Sequence, residues 1–151
     1  MKSLFDENAL EEIQQRIDSL TAESVPSWGK MSVGQMCTHC QKPLEVAMGT
    51  MKFSGKKPGF MKRLIFKIYK PLMYNDKAWS QNLPTVRDFI VRDEKDVAAE
   101  KAKLTELVTA FHGHKDATEW PSHPMFGNFT PEQWGKMQYK HLHHHLSQFG
   151  A

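Results

Sequence analysis

The sequence predicts an all-α protein, an antiparallel four-helix bundle with a long irregular segment between its second and third helices. Three observations carry that prediction. Four segments repeat apolar residues at helical spacing, strand signals are few, and two of the segments open with capping boxes. At 151 residues the chain fits a single domain over 1–151, and it can bury a real core without disulfides or structural metal.

The first helix is expected from about Asp6 to Leu20, where Leu10, Ile13, Ile17 and Leu20 share a face and acids and glutamines fill the others. Residues 24–30, with Pro26 and Gly29, form a loop. Ser32-Val33-Gly34-Gln35 is a capping box, in which the hydroxyl accepts from an exposed backbone N–H while the glutamine reaches back. The second helix runs from there to about Met48. Within it Pro43 has no N–H for the carbonyl of His39, so a bend is expected there. Such bends commonly serve packing; the alternative is that this one turns His39 inward.

Gly49 to Arg92 is the least regular stretch, broken by Gly55, Pro58, Gly59, Pro71 and Pro84, with one short amphipathic helix expected over Phe60 to Tyr69. Between Lys52 and Lys70 the charges are Lys52, Lys56, Lys57, Lys62, Arg63, Lys67 and Lys70, with no acid among them. Interleaved with Phe60, Leu64, Ile65, Phe66 and Ile68, they read as a solvated basic face whose apolar side enters the core. A membrane surface or an anionic ligand is the alternative partner.

A third long helix is expected from Asp93 to Phe111, with Val97, Leu104, Leu107, Val108 and Phe111 as its apolar stripe and Gly113 as its C-terminal cap. A loop carrying His112, His114, Pro121, His123 and Pro124 comes next. Thr130-Pro131-Glu132-Gln133 supplies the second capping box, with proline at the favoured first helical position, and opens the last helix.

Composition is that of an ordinary globular chain: 40% hydrophobic, 25% charged, net charge +3. That excess of positive charge is too small to imply a nucleic-acid partner. No apolar run approaches the roughly 20 residues that span a bilayer, and the N-terminus carries no secretory apolar region, so a cytoplasmic location is expected. Cys37 and Cys40 are the only cysteines. Without a second CxxC or a strand–helix context they read as small buried residues rather than a redox pair or half a zinc site.

The chemistry concentrates at the end of the last helix, in His141-Leu142-His143-His144-His145. At about 100° per residue, Trp134, Met137, Gln138, His141, His145 and Phe149 share one side, with His143 opposite and His144 on the flank. Two neutral imidazoles on successive turns can share one transition metal, with a third ligand from elsewhere in the fold. A hydrogen-bonded pair of core histidines, or a polar helix end, would also fit this spacing. Protonated rings suit the partial negative charge of a helix C-terminus, which accounts for His143 and His144 better than for the inward pair.

The motifs Trp28-Gly29-Lys30-Met31-Ser32-Val33-Gly34-Gln35-Met36 with His39, His123-Pro124-Met125-Phe126-Gly127, Thr130-Pro131-Glu132-Gln133-Trp134 and His141 to Phe149 together resemble the DinB-like (YfiT-like) superfamily of metalloenzymes. Within it the nearest branch is the one called domain of unknown function 1569. The resemblance spans nearly the whole chain; its terminal motifs are specific and its middle is loose. It implies a four-helix bundle holding a divalent metal on three histidines, one from the second helix and two from an HxxxH on the last. His39 takes the helix-two position, and His145-Leu146-Ser147-Gln148 takes the place of the family's His-Arg-Gly-Gln, which makes His141 and His145 the HxxxH pair. The Arg-Gly of that fingerprint is missing here.

The function this resemblance implies is that of a metal-dependent enzyme on a small-molecule substrate, its His39, His141 and His145 holding zinc, or alternatively nickel or iron, with positions left open. Characterised relatives imply transfer or isomerisation using a low-molecular-weight thiol; metal-dependent hydrolysis is the second reading. No residue presents itself as a general base, and His123 and His144 are candidates for contacts with substrate or with the ligands. From a different class, the chain would be a non-catalytic binding module for an anionic small molecule. Bundle faces of this kind also suit a homodimer.

Overall fold

The computed structural model describes residues 1–54 and 58–151, and over them the protein is all-helical. It has five α-helices and two short 3-10 helices, with no strand among the described residues beyond an isolated bridge pairing His123 with Gly127. The helices are α1 (Glu7–Ser19), α2 (Val33–Ala47), α3 (Phe60–Tyr69), α4 (Val97–Gly113) and α5 (Pro131–Gln148). The 3-10 helices cover Lys70–Met73 and Arg87–Phe89.

Side-chain caps set the starts of α2, α4 and α5. Ser32 accepts from the Gln35 amide while Ser32 N–H donates to the Gln35 side chain, and Thr130 and Gln133 repeat the arrangement on α5. Each box satisfies two of the backbone groups that a helix N-terminus leaves open. α4 begins later than expected, because Asp96 rather than Asp93 caps it by accepting from Ala99 N–H at 2.7 Å. Asp93 is instead paired with Lys95, and the carbonyls of Arg92 and Asp93 receive the Gln35 amide. At the other end Gly113 is the last helical residue and His114 the cap.

α1 and α2 each pack against both α4 and α5, and the side chains between them form one buried cluster. Ile13 and Ile17 from α1, Met36, Cys40 and Leu44 from α2, Leu104, Val108 and Phe111 from α4, and Trp134, Leu142 and Leu146 from α5 are all fully buried. α2 also lies close against the segment leading into α4, where a Cβ on Gly34 would stand 2.6 Å from the Lys95 carbonyl oxygen. α2 continues through Pro43, whose carbonyl accepts from Gln138 Nε2 at 2.9 Å.

α3 departs from the sequence expectation. Its apolar side does not enter the core: Phe60, Met61, Leu64, Ile65, Ile68 and Tyr69 are exposed, and only Phe66 turns inward, its ring against Phe126. The helix packs on the 3-10 turn that comes after it rather than on the long helices. Lys56 and Lys57 of the basic stretch, with Gly55, lie outside the described residues. No helix among the described residues is long and apolar enough to cross a membrane.

Candidate metal centre

α2 and α5 bring three imidazoles together. His39 comes from α2, and His141 and His145 from successive turns of α5; one ligand-capable atom from each lies within 4.8 Å of the others. The ring centroids are 4.7 Å apart for His39–His145 and His141–His145, and 5.1 Å for His39–His141. His39 and His141 are buried and His145 nearly so.

Hydrogen bonds fix where the protons sit. His39 Nδ1 lies 3.0 Å from the carbonyl oxygen of Phe89, an acceptor only, so Nδ1 carries the proton and Nε2 is bare. His145 Nδ1 lies 2.9 Å from Gln148 Oε1. The orientation of that glutamine is set by its other end, whose Nε2 donates to the carbonyl of Trp28. Oε1 must then accept, and His145 also presents a bare Nε2. Gly29 makes this clamp feasible: its φ is +81°, and a Cβ there would stand 2.5 Å from Gln148 Nε2. Glycine alone meets both conditions without strain.

His141 is the odd member. Its Nε2 lies 3.2 Å from His39 Nε2, and its Nδ1 is buried with no hydrogen-bond partner. With the proton on Nε2 it can donate to His39, leaving a bare buried Nδ1; with the proton on Nδ1, two lone pairs face each other and a buried N–H is wasted. An unpaired atom alone does not single this residue out, since Trp134 Nε1 and Gln138 Oε1 are also buried without partners. The particular feature of the triad is that a ring nitrogen from each of three residues lies within 4.8 Å of the others, two of them held bare by the hydrogen bonds at Nδ1. Burial keeps all three rings neutral: it pushes His145 down to about 3, drives His141 well below the usual histidine range with help from its two neighbours, and lowers His39.

This donor set fits a divalent transition metal. Neutral imidazoles are the protonation state that binds, and two nitrogens each about 2.0–2.1 Å from a tetrahedral zinc stand about 3.3 Å apart, against 3.2 Å between His39 and His141. Two of the three rings already hand their second nitrogen to an acceptor, the usual device for aiming a ligand.

An open cleft of about 510 Å³ runs along α5, with Trp28, Trp79, Lys140, His143 and His144 in its wall; no triad histidine lines it, and it meets the triad through Trp79, whose ring touches His141, and His144, whose ring touches His145. Trp79 is oriented by its indole N–H on the Leu72 carbonyl, and its ring contacts both His141 and His144. Lys140 is 3% exposed and donates to Leu72 O, Asn75 O and Asn75 Oδ1; burial lowers it to about 8.

The remaining candidates fall in three places. His144 lies at the cleft wall, its ring between Trp28, Trp79 and His145. His123 packs instead among Phe126, Phe129 and Trp134, where its Nδ1 accepts from the Met125 and Phe126 amides in a local turn. His143 faces α1, accepting from Arg16. Cys37 and Cys40 are buried and free, and burial pushes Cys37 up to about 12, so neither supplies a thiolate near neutral pH. Sequence reasoning does not find Phe89, Trp79 or Lys140, which act through a backbone carbonyl or through packing and so carry no motif.

No curated protein and no solved structure matches this chain. A family model described as Protein of unknown function (DUF1569) matches residues 2–151, and the chain belongs to that family.

Proposed function

We propose that the protein is a metal-dependent enzyme of the DinB-like kind, in which α1, α2, α4 and α5 form the four-helix bundle of a single domain and His39, His141 and His145 hold a divalent metal, zinc first. The observation that carries this reading is the gathering of three buried or nearly buried ring nitrogens within 4.8 Å of one another, with Phe89 O and Gln148 Oε1 orienting two of the rings. When bound there, such an ion supplies a Lewis acid that lowers the pKa of a thiol or water at its open position.

The chain's own residues do the rest. Trp28 and Trp79 give the cleft apolar walls that hold a small substrate and thin the water around it. His144 is kept neutral at neutral pH, chiefly by burial, and stands between the cleft and His145, where it can take a proton from an incoming nucleophile. Group transfer or isomerisation with a low-molecular-weight thiol is the activity proposed, resting on the family resemblance of the motifs. Hydrolysis is the second reading, since a neutral His144 serves water as well as a thiol.

The test is metal analysis of untagged protein purified without a nickel column, because these histidines would take up nickel from the resin. Close to one equivalent of divalent metal per chain is expected, with loss on His39→Ala, His141→Ala or His145→Ala. Wild-type metal content in all three variants would sink the site. With the metal in place, His144→Ala should lower turnover while leaving metal content unchanged.

A further inference from the structure

We infer that α3 is an interfacial anchor that lays its apolar face on an anionic phospholipid surface. Among the described residues, six of the nine exposed large hydrophobic side chains belong to this one ten-residue helix, including Phe60 at 80% and Ile68 at 71% exposure. They are not scattered. At helical spacing Phe60, Leu64, Ile68, Met61, Ile65 and Tyr69 cover one continuous side, opposite Phe66, which is the residue that turns to the protein body. The helix thus presents to solvent the face that an ordinary surface helix buries.

Charge selects the occupant. Lys62 borders the apolar face on one side and Arg63 and Lys67 lie on the other, and the sequence from Lys52 to Lys70 holds no acid; Lys70 itself turns to the protein body, donating to Asn128 O over the Phe129 ring. Long basic stems beside an apolar face can keep their charges at headgroup level while the face enters the acyl boundary. A tyrosine at one end suits the same depth, where an aromatic ring is apolar and its hydroxyl wet. A second copy docking face to face would bring two basic rims together with no acid in the segment to neutralise them. Nucleic acid would meet the charges but leave the apolar side in water. Anionic lipid satisfies both. The anchor is independent of the metal centre, since no α3 residue belongs to the triad or the cleft wall.

The experiment is co-sedimentation of the full chain with vesicles of phosphatidylcholine alone and of phosphatidylcholine mixed with phosphatidylserine, at low and high salt. Binding is expected to the mixed vesicles only, weakening as salt rises. Leu64→Asp with Ile68→Asp should lower the partition coefficient at least tenfold, and Lys62→Gln or Lys67→Gln about fivefold each, as expected for one basic residue near a charged surface. These positions are exposed, so unchanged helical circular dichroism should accompany the loss. Absence of binding to the mixed vesicles overturns the proposal. So does equal binding to neutral vesicles, or a concentration-dependent dimer in gel filtration that Ile68→Asp disperses, which would assign the face to a second copy.

Discussion

Two groups of histidines are packed into this fold, and only one of them gathers three ring nitrogens at one place. His112 is buried and spends both ring nitrogens, Nδ1 on the Leu4 carbonyl at 2.9 Å and Nε2 on the Glu7 carboxylate at 3.1 Å. His123 spends Nδ1 on two backbone amides and its faces on three aromatic rings. His39, His141 and His145 converge instead: His39 and His145 keep Nε2 unprotonated after their Nδ1 hydrogen bonds, and His141 Nε2 lies 3.2 Å from His39 Nε2. Burial and histidine count therefore do not mark a metal centre. What sets the triad apart as a candidate is that one ring nitrogen from each residue lies within 4.8 Å of the others.

The sharpest way to break that contrast is metal-linked stability. Zinc added to chelated protein should stabilise the wild type by about 2.7 kcal/mol when free zinc is a hundredfold above Kd, read as a raised unfolding temperature. His141→Ala should lose the whole effect, and His112→Ala and His123→Asn should keep it although both are destabilised. If His123→Asn removed the zinc response as fully as His141→Ala, the distinction between spent and unspent nitrogens would be wrong.

A smaller effect is expected one step out, at the residues that orient the proposed ligands. Gln148→Ala removes the acceptor for His145 Nδ1, and Gly29→Ala forces the Gln148 amide off the Trp28 carbonyl while straining a backbone at φ +81°. Each should weaken zinc binding about 10- to 100-fold while leaving the stoichiometry intact at saturating metal. Competition against a chromophoric chelator reads both quantities. An unchanged affinity in Gln148→Ala would show that His145 needs no orientation.

Legibility in the sequence divides along the same line. The helices that carry the three histidines announce themselves through Ser32–Gln35 and Thr130–Gln133 and through apolar periodicity, so the placement of His39 on α2 and of His141 and His145 on one side of α5 can be read directly. The α4 start differs from its expected place by a few residues because Asp93 and Asp96 are equivalent caps until Gln35 claims the Arg92 and Asp93 carbonyls. The α3 face is expected in the core and found in solvent because amphipathic spacing shows that a helix has two sides without showing which one meets protein. Phe89 is invisible for a deeper reason: its carbonyl orients His39, and a backbone carbonyl has no residue type.

The second group of histidines has its own signature, in pH rather than metal. Burial, with Lys70 adding to it, lowers His123 from 6.5 to about 4. The folded pKa is depressed, so the unfolded chain takes up a proton first: stability is full above 6.5 and falls as the pH drops toward 4. The loss should reach about 2 kcal/mol, less than the full shift implies because the ring is partly exposed. His123→Asn keeps an acceptor near the Met125 and Phe126 amides without a titrating ring. Urea midpoints from pH 7 downward should therefore fall less steeply in that variant; parallel curves would show that His123 titrates as a solvated residue.

The smallest effect is expected at His143, and it tests the helical geometry most directly. This residue belongs to the same five-residue run as two triad members but faces the other way, exposed, stacked on Tyr139 and accepting from Arg16 Nη1 at 2.7 Å. Arg16 does not depend on it, since the same guanidinium also donates to Ala151 O, Ser147 Oγ and Glu12. His143→Ala should cost less than about 1 kcal/mol and leave zinc binding unchanged. Between His141→Ala, which empties the site, and His145→Ala, which does the same, a silent His143→Ala is what a helix requires of positions lying on opposite sides. A comparable loss of zinc at all three would mean that the run binds metal as a flexible histidine-rich tract, and the rigid centre built from α2 and α5 would have to be given up.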